Sequence, residues 1–210
     1  GLTEDPDDGA YDLLIVVDAR VADSLSESLA QYRRDLQERG IFTVEKTWSQ
    51  GGAEALREVL KEAHETYDIE GAFLVGDLPA AWYEGNFFGD FEQFPTDIFL
   101  QDFNRQWRDH NGNGVYDGYS DVVPVFGLEI YLSRVTGSVD ELTHYFDKVH
   151  RYRTEGPLVD PSMFVFIDDD WLGYGFEQST WGLSSIYDTF VRMESTASTT
   201  RDNYCLLYTS

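Results

Sequence analysis

The sequence predicts an α/β fold built on a mostly parallel sheet. Short continuous apolar runs, such as Leu13–Val17 and Ala72–Val75, are typical of strands that are buried on both faces. Segments with apolar residues at helical spacing separate these runs, and this alternation favours parallel strands joined by right-handed crossovers. Residues 78–128 interrupt the alternation and are rich in aromatic, Asp, Asn and Gly residues. We therefore expect one α/β domain with a long insert.

Five elements are predicted before the insert, after an acidic, Gly/Pro-containing segment, residues 1–10, that is typical of a linker or frayed terminus. They are a strand at Leu13–Val17, a helix through Leu25–Leu36, an alternating strand at Ile41–Trp48, a helix through Leu56–Tyr67 and a strand at Ala72–Val75. Gly40 follows the first helix, where glycine is a natural stop. This order predicts parallel pairing of the three strands.

The insert contains the chain's most specific motif, D-x-N-x-N-G-x-x-D, which begins at Asp109. The spacing places oxygen ligands at alternate positions of a tight loop, with Gly114 at the sharp turn, as in calcium-binding loops. Ser120 stands at the twelfth position, which usually carries Glu, and Asp121 could substitute for it. The other interpretation is an Asn/Gly-rich hairpin turn without a metal. The predicted Ca²⁺ ligands are Asp109, Asn111, Asn113, Val115 (through its carbonyl), Asp117 and Asp121.

One element is predicted within the insert and five are predicted after it. Within the insert, only Asp97–Leu100 resembles a strand, and a calcium ion would explain how a segment with so little regular structure is ordered. After the insert we expect a strand at Glu129–Arg134, a helix through Leu142–Tyr152 that opens with a capping box of Ser138 and Glu141, a strand at Met163–Ile167, a short helix around Trp181–Tyr187 and a strand at Phe190–Met193.

Charge and cysteine content restrict the possible partners. Asp and Glu outnumber Lys and Arg by 39 to 15, for a net charge of −24. Such a surface repels nucleic-acid phosphates and anionic lipid, and no apolar stretch reaches the length of a membrane span.

Cys205 is the only cysteine, so an intrachain disulfide is excluded. The codons TGT CTC TTA TAC ACA TCT, a transposon end used for sequencing libraries, would encode Cys205–Ser210, and we expect residues 205–210 to be non-native.

Acidic residues follow three of the predicted strands: Asp18, Asp77 and the run Asp168–Asp170. Ligand crevices of open parallel sheets lie at the carboxyl ends of strands. For Asp18 and Asp77 we favour the simpler role of capping the next helix. The repulsion among Asp168–Asp170 requires a cation or hydrogen-bond donors nearby, which leaves a metal-dependent hydrolase open. The four histidines are expected to be solvated or packing residues.

Several short segments resemble, in their order, the gingipain-like cysteine peptidases of the caspase-like clan. They are Leu74–Pro79, Thr96–Asp97, the Asp/Asn/Gly loop, Glu129–Arg134, Phe164–Trp171 and Thr199–Tyr204. The resemblance covers residues 11–204 and implies a caspase-like three-layer sandwich with a mostly parallel sheet and a calcium-loop insert. It also implies a secreted or cell-surface parent that cuts protein or peptide substrates through a Cys thiolate paired with His.

One departure from that family bears directly on activity. The family's catalytic His and Cys both follow the segment matched by Thr199–Tyr204, so this chain is expected to be inactive by itself. An acidic residue that orients the His would fall at Asp169 or Asp170. Ser133 replaces the family's usual Gly before Arg134. The alternative function is a non-catalytic, calcium-stabilised extracellular binding or adhesion module.

Overall fold

The computed structural model describes residues 11–87, 89–121 and 127–156, together with the backbone of two strands at 162–166 and 189–193. The chain divides into two compact units, residues 1–153 and 154–210. The strands are β1 (Leu13–Asp18), β2 (Thr43–Trp48), β3 (Gly71–Val75), β4 (Ala81–Phe87), β5 (Asp90–Thr96), β6 (Arg105–Arg108), β7 (Gly118–Asp121), β8 (Tyr131–Val135), β9 (Ser162–Phe166) and β10 (Thr189–Met193). The helices are α1 (Ala19–Ala22), α2 (Ser26–Gln37), α3 (Ala53–Tyr67), α4 (Ile98–Gln101) and α5 (Val139–Glu155).

A four-stranded parallel sheet forms the centre of the first unit. Its order is β2-β1-β3-β8, with Leu13 opposite Thr43 and Gly71, and Gly71 opposite Tyr131. The prediction of a parallel sheet from the apolar runs is therefore confirmed. Both β1 and β3 are buried along their whole length, which explains why their sequences are continuously apolar.

Helices cover both faces of this sheet, because successive side chains of a strand point to opposite faces. On one face Leu14, Val16 and Leu74 pack with Leu56 and Leu60 of α3. On the other face, side chains of α2 and α5 form a second core with the intervening strand residues, which include Ile15, Phe73, Leu29, Leu142 and Phe146. The first unit is therefore a three-layer α/β structure, with α3 on one face of the sheet and α2 and α5 on the other.

The insert has more regular structure than the sequence predicted. Strands β4 and β5 form an antiparallel hairpin, β6 and β7 form a second one, and Asp97–Leu100, predicted as a strand, lies at the start of α4. The prediction of an irregular insert was wrong because β5 is almost entirely exposed and therefore shows no apolar alternation. Pro95 within β5 further obscured the strand signal.

Most predicted helix boundaries agree with the structure. Glu141 Oε2 accepts from the N–H of Ser138 at 2.8 Å and Ser138 Oγ accepts from the N–H of Glu141 at 3.3 Å, so the predicted capping box is confirmed. Asp18 caps α1 by accepting from the N–H of Arg20. Asp77 was expected to cap a helix, which is wrong, because β3 is followed by the hairpin rather than by a helix.

In the second unit β9 and β10 pair in parallel, with Phe164 opposite Val191. These strands confirm two predicted segments, whereas the expected helix near 181–187, the run Asp168–Asp170 and the tail 205–210 lie outside the described residues. No helix in the described part of the chain is both long and apolar enough to cross a bilayer.

Candidate metal centre

The predicted calcium loop connects β6 to β7 and is fixed to β4 by its backbone. The N–H of Glu84 donates to the carbonyl of Tyr116 at 2.8 Å, and the N–H of Tyr116 donates to the carbonyl of Trp82 at 2.9 Å. The loop therefore joins β4 through an isolated parallel β-bridge between Tyr83 and Tyr116. This pairing brings the side chain of Glu84 against the loop.

Asp109 organises the first half of the loop. Its Oδ1 accepts from the N–H of Gly112 at 2.7 Å and of Asn113 at 3.2 Å, and its Oδ2 accepts from the N–H of Gly114 at 2.8 Å. Gly112 and Gly114 have φ angles of +73° and +86°, which glycine adopts at little cost. The loop thus closes around one carboxylate, and the sharp turn predicted at Gly114 is confirmed.

The two asparagines of the motif direct their side-chain oxygens into the same loop. Asn111 Oδ1 accepts from the N–H of Asn113 at 3.0 Å, and Asn113 Oδ1 accepts from the N–H of Val115 at 2.8 Å. The N–H of Asn113 also donates to Asp109 Oδ1. Asp109 Oδ1 and Asn111 Oδ1 therefore accept from the same N–H group. Asp109 Oδ1 accepts two hydrogen bonds. Asp109 Oδ2, Asn111 Oδ1 and Asn113 Oδ1 each accept one, so each keeps a second lone pair for a cation.

The two remaining acidic candidates are placed differently. Asp117 Oδ1 accepts from the backbone N–H of His110 at 2.9 Å and lies 2.6 Å from His110 Nδ1. The backbone N–H of His110, followed by its side chain, holds the pKa of Asp117 below its usual value. Asp121 is opposite Arg105, at the far end of the β6/β7 ladder from the loop, which joins Arg108 to Gly118. This register places the backbone of Asp121 away from the loop, and its side chain lies outside the described residues.

Glu84 is a residue of this centre that the sequence did not indicate. Its side chain is only 4 % exposed, and its Oε1 accepts from Asn111 Nδ2 at 2.7 Å and from Asn113 Nδ2 at 2.8 Å. Its Oε2 accepts from Gln93 Nε2 of β5 at 3.1 Å. The sequence carried no signal for this residue, because Glu84 lies outside the motif and the burial pattern of β4 does not alternate.

The chemistry of these donors fits Ca²⁺ better than a transition metal. Among the residues that the structure describes, no three His, Cys, Asp or Glu side chains converge as a metal-holding group. The loop instead supplies carboxylate, amide and backbone oxygens, with the carbonyl of Val115 available on its second half. Calcium binds six to eight such hard oxygens and tolerates irregular geometry, whereas zinc and copper favour nitrogen and sulfur.

Aromatic rings support the loop from the side of α3. Tyr116 stacks on Phe99 with ring centroids 5.0 Å apart, and Trp107 contacts both rings edge-on. Burial, and then the hydrogen bond from its hydroxyl to Glu54, raise the pKa of Tyr116 to about 12. Tyr116 therefore anchors the loop to α3 and α4, although the residues that carry the candidate ligand oxygens lie near the surface.

The acids at the carboxyl ends of β1 and β3 form an ion-paired cluster. Arg20 Nη2 lies 2.5 Å from Asp18 Oδ2 and 3.2 Å from Asp77 Oδ2. The bond from Arg20 holds the pKa of Asp18 below its usual value. Nearby, Arg134 binds Asp97 at 2.7 Å and the carbonyl of Leu78 at 2.7 Å. These charged side chains form ion pairs and hydrogen bonds with one another, as expected for residues with a structural role. Asp169 and Asp170 lie outside the described residues.

Two further histidines of the described region have local partners, and His144 is exposed on α5. His64 Nδ1 lies 2.9 Å from the carbonyl of Ile69, just after α3, and His150 Nδ1 lies 2.9 Å from Asp35 Oδ2 and so links α5 to α2. Cys205, the only cysteine in the sequence, is outside the part of the chain that the structure describes. No nucleophile and base are brought together in the described ranges.

Comparison with protein-family models, with curated proteins and with solved structures found no match.

Proposed function

We propose that this chain is a calcium-binding α/β domain in which the ion at residues 109–117 orders the long insert. The observation that carries the proposal is that the side-chain oxygens of Asp109, Asn111 and Asn113 all accept from N–H groups of this one loop, with Asp109 Oδ1 and Asn111 Oδ1 sharing the N–H of Asn113. The ligands are Asp109, Asn111, Asn113, the Val115 carbonyl and Asp117. Water molecules complete the coordination shell, as is common for calcium sites of this kind.

The ion's role in this proposal is to stabilise the fold. The loop residues are mostly exposed, and hydrogen bonds to one Asp and two Asn side chains hold the turn together. A cation bound to these oxygens neutralises the negative charge of the turn. It also links the end of β6 to the start of β7. Because the unfolded chain does not present these oxygens together, binding adds to the free energy of unfolding.

Thermal unfolding in calcium, in magnesium and without divalent ions tests this proposal. We expect millimolar Ca²⁺ to raise the Tm and to protect residues 105–121 from proteolysis. Mg²⁺ should do so poorly, because it requires stricter octahedral geometry and retains its water. The Asp109→Ala/Asp117→Ala variant should lose the calcium effect. An equal Tm increase in this variant, or no increase in wild type, would contradict calcium binding at residues 109–117.

We further propose that the domain belongs to a secreted cysteine-type endopeptidase resembling the gingipains. The observed three-layer arrangement around parallel strands is compatible with that resemblance, and the order of the short segments supports it. In the parent, a Cys thiolate would attack the peptide carbonyl of a protein substrate. Backbone N–H groups would hold the oxyanion, and the C–N bond would break as the amine product leaves with a proton from the His. Water would then hydrolyse the thioester to a carboxylic acid and the free thiol. Asp169 or Asp170 would orient the His.

Reading the source DNA beyond Tyr204 tests the peptidase proposal. A His in a Gly- or Ser-flanked motif followed by a Cys is the expected result, and replacing that Cys by Ala in the full-length protein should abolish proteolysis. Native codons for Cys205–Ser210 followed by a stop would contradict it. That result would favour the alternative, a non-catalytic, calcium-stabilised extracellular binding or adhesion module.

A further inference from the structure

Glu84 is a buried carboxylate that lacks a cationic partner. Its three side-chain hydrogen bonds all come from neutral amides, those of Gln93, Asn111 and Asn113. Among the described residues, no Lys, Arg or His side chain is bonded to it, although it is only 4 % exposed. Burial of a charge is costly unless an opposite charge or a metal compensates it. The structure around Glu84 therefore calls for a positive charge nearby.

Glu84 also determines which end of two amides faces the loop. Both Asn111 Nδ2 and Asn113 Nδ2 donate to the same oxygen, Oε1, at 2.7 and 2.8 Å. With their nitrogens held on Glu84, the Oδ1 atoms of both residues point to the loop backbone, where they accept from the N–H groups of Asn113 and Val115. A neutral amide oxygen could also accept from both donors, but a carboxylate oxygen binds them more strongly.

We propose that Glu84 is a positioning residue of the calcium centre, which orients the Asn111 and Asn113 oxygens toward the ion and supplies a negative charge behind them. This inference rests on the proposed calcium site. Carboxylates behind metal ligands fix ligand orientation and make the ligand a better donor, and their loss typically weakens metal affinity by about 10- to 100-fold. The pairing of Tyr116 with β4 delivers Glu84 to this position, so the site depends on a strand well outside the motif.

Calcium titration of Glu84→Gln, with Tm measured in the absence of calcium, separates this role from a merely structural one. We expect a Kd for Ca²⁺ that is about 10- to 100-fold higher than in wild type. We also expect a calcium-free Tm that is equal to or above that of wild type, because an uncompensated buried charge has been removed. The control is Glu92→Gln, which removes the same charge from an exposed position on the neighbouring strand and should leave the Kd unchanged.

A charge exchange provides the second variant. Asn113→Asp combined with Glu84→Gln restores the number of carboxylates, and the amide introduced at position 84 can donate to the new carboxylate. We expect this double variant to bind Ca²⁺ more tightly than Glu84→Gln alone. A wild-type Kd in Glu84→Gln, or no recovery in the double variant, would overturn the positioning role. If wild type itself did not bind Ca²⁺, the proposed function would fail, not only the role of Glu84.

Discussion

At the scale of single residues, Asp18 joins the end of β1 to the segment after β3. Its carboxylate accepts from the N–H of Arg20 at 2.9 Å and of Asp77 at 3.2 Å, and it also binds the Arg20 guanidinium. Only 5 % of Asp18 is exposed. Its ionised form is therefore an integral part of this corner of the sheet, and its protonation should weaken the fold.

The pH dependence follows from the direction of the pKa shift. Folding lowers the pKa of Asp18, with the bond from Arg20 as the largest cause. Its stabilising contribution is present above the unfolded-state pKa of about 3.9 and is lost as the pH falls through the lower folded-state pKa. We expect Asp18→Asn to lower the free energy of unfolding at pH 7 by about 1 kcal/mol, because the Arg20 guanidinium loses its charged acceptor. Urea unfolding measures this difference. The difference should shrink below pH 4, and a constant difference would contradict this explanation.

Gly76, at the end of β3, is required for two reasons that can be separated. Its φ is +96°, and an added Cβ would lie 2.6 Å from Asp18 Cβ. Gly40 also has a positive φ, +78°, but has open space around it. We expect Gly40→Ala to cost about 1 kcal/mol, from backbone strain alone, and Gly76→Ala to cost about 3 kcal/mol or more, because close packing adds to the strain. If urea unfolding showed the same loss of unfolding free energy for both variants, close packing would not contribute at Gly76.

At the scale of elements, Arg57 of α3 attaches the insert to the sandwich. Its Nε donates to the carbonyl of Phe99 at 2.9 Å, and its Nη2 donates to the carbonyls of Asp102 at 2.7 Å and Arg105 at 3.3 Å. The guanidinium also lies over the Phe99 ring, 5.2 Å from its centroid. The Arg57 side chain thus donates hydrogen bonds to three backbone carbonyls between α4 and the start of β6.

Replacing Arg57 should therefore loosen the insert more than the sandwich. We expect Arg57→Ala to lower the free energy of unfolding by about 2 kcal/mol, because several carbonyls lose a charged donor. Hydrogen exchange should increase most at residues 98–108. Lys61→Ala, which removes only a surface pair with Glu65 on the same helix, is the control and should cost about 0.5 kcal/mol or less. Uniform exchange across the chain would contradict this attachment.

The sequence predicted the sandwich elements well and the insert poorly, for a physical reason. Strands β1 and β3 are buried on both faces, so their apolar runs are unambiguous, and α3 carries a regular apolar stripe. Strands β4 and β5 are stabilised instead by aromatic contacts such as Tyr83 with Phe94 and by attachment to the loop. The motif therefore indicated Asp109, Asn111 and Asn113, whereas Glu84 required the three-dimensional pairing.

At the scale of the whole molecule, charge and calcium are linked. With 39 acidic and 15 basic residues, the folded chain repels itself, and salt screens this repulsion. We propose that the ion neutralises part of that charge, where Asp109, Asp117 and Glu84 contact one loop. The apolar core holds the sandwich, while the insert, with less apolar burial, depends on polar and metal contacts.

Calorimetric titration of the chain with Ca²⁺ shows whether the loop binds the ion. We expect saturable binding of one ion per chain in wild type, and loss of that binding in Asp109→Ala/Asp117→Ala while the sandwich remains folded. Circular dichroism of the calcium-free variant provides the check on folding. Undetectable binding to a folded wild-type chain, or binding that persists in the folded variant, would contradict the account.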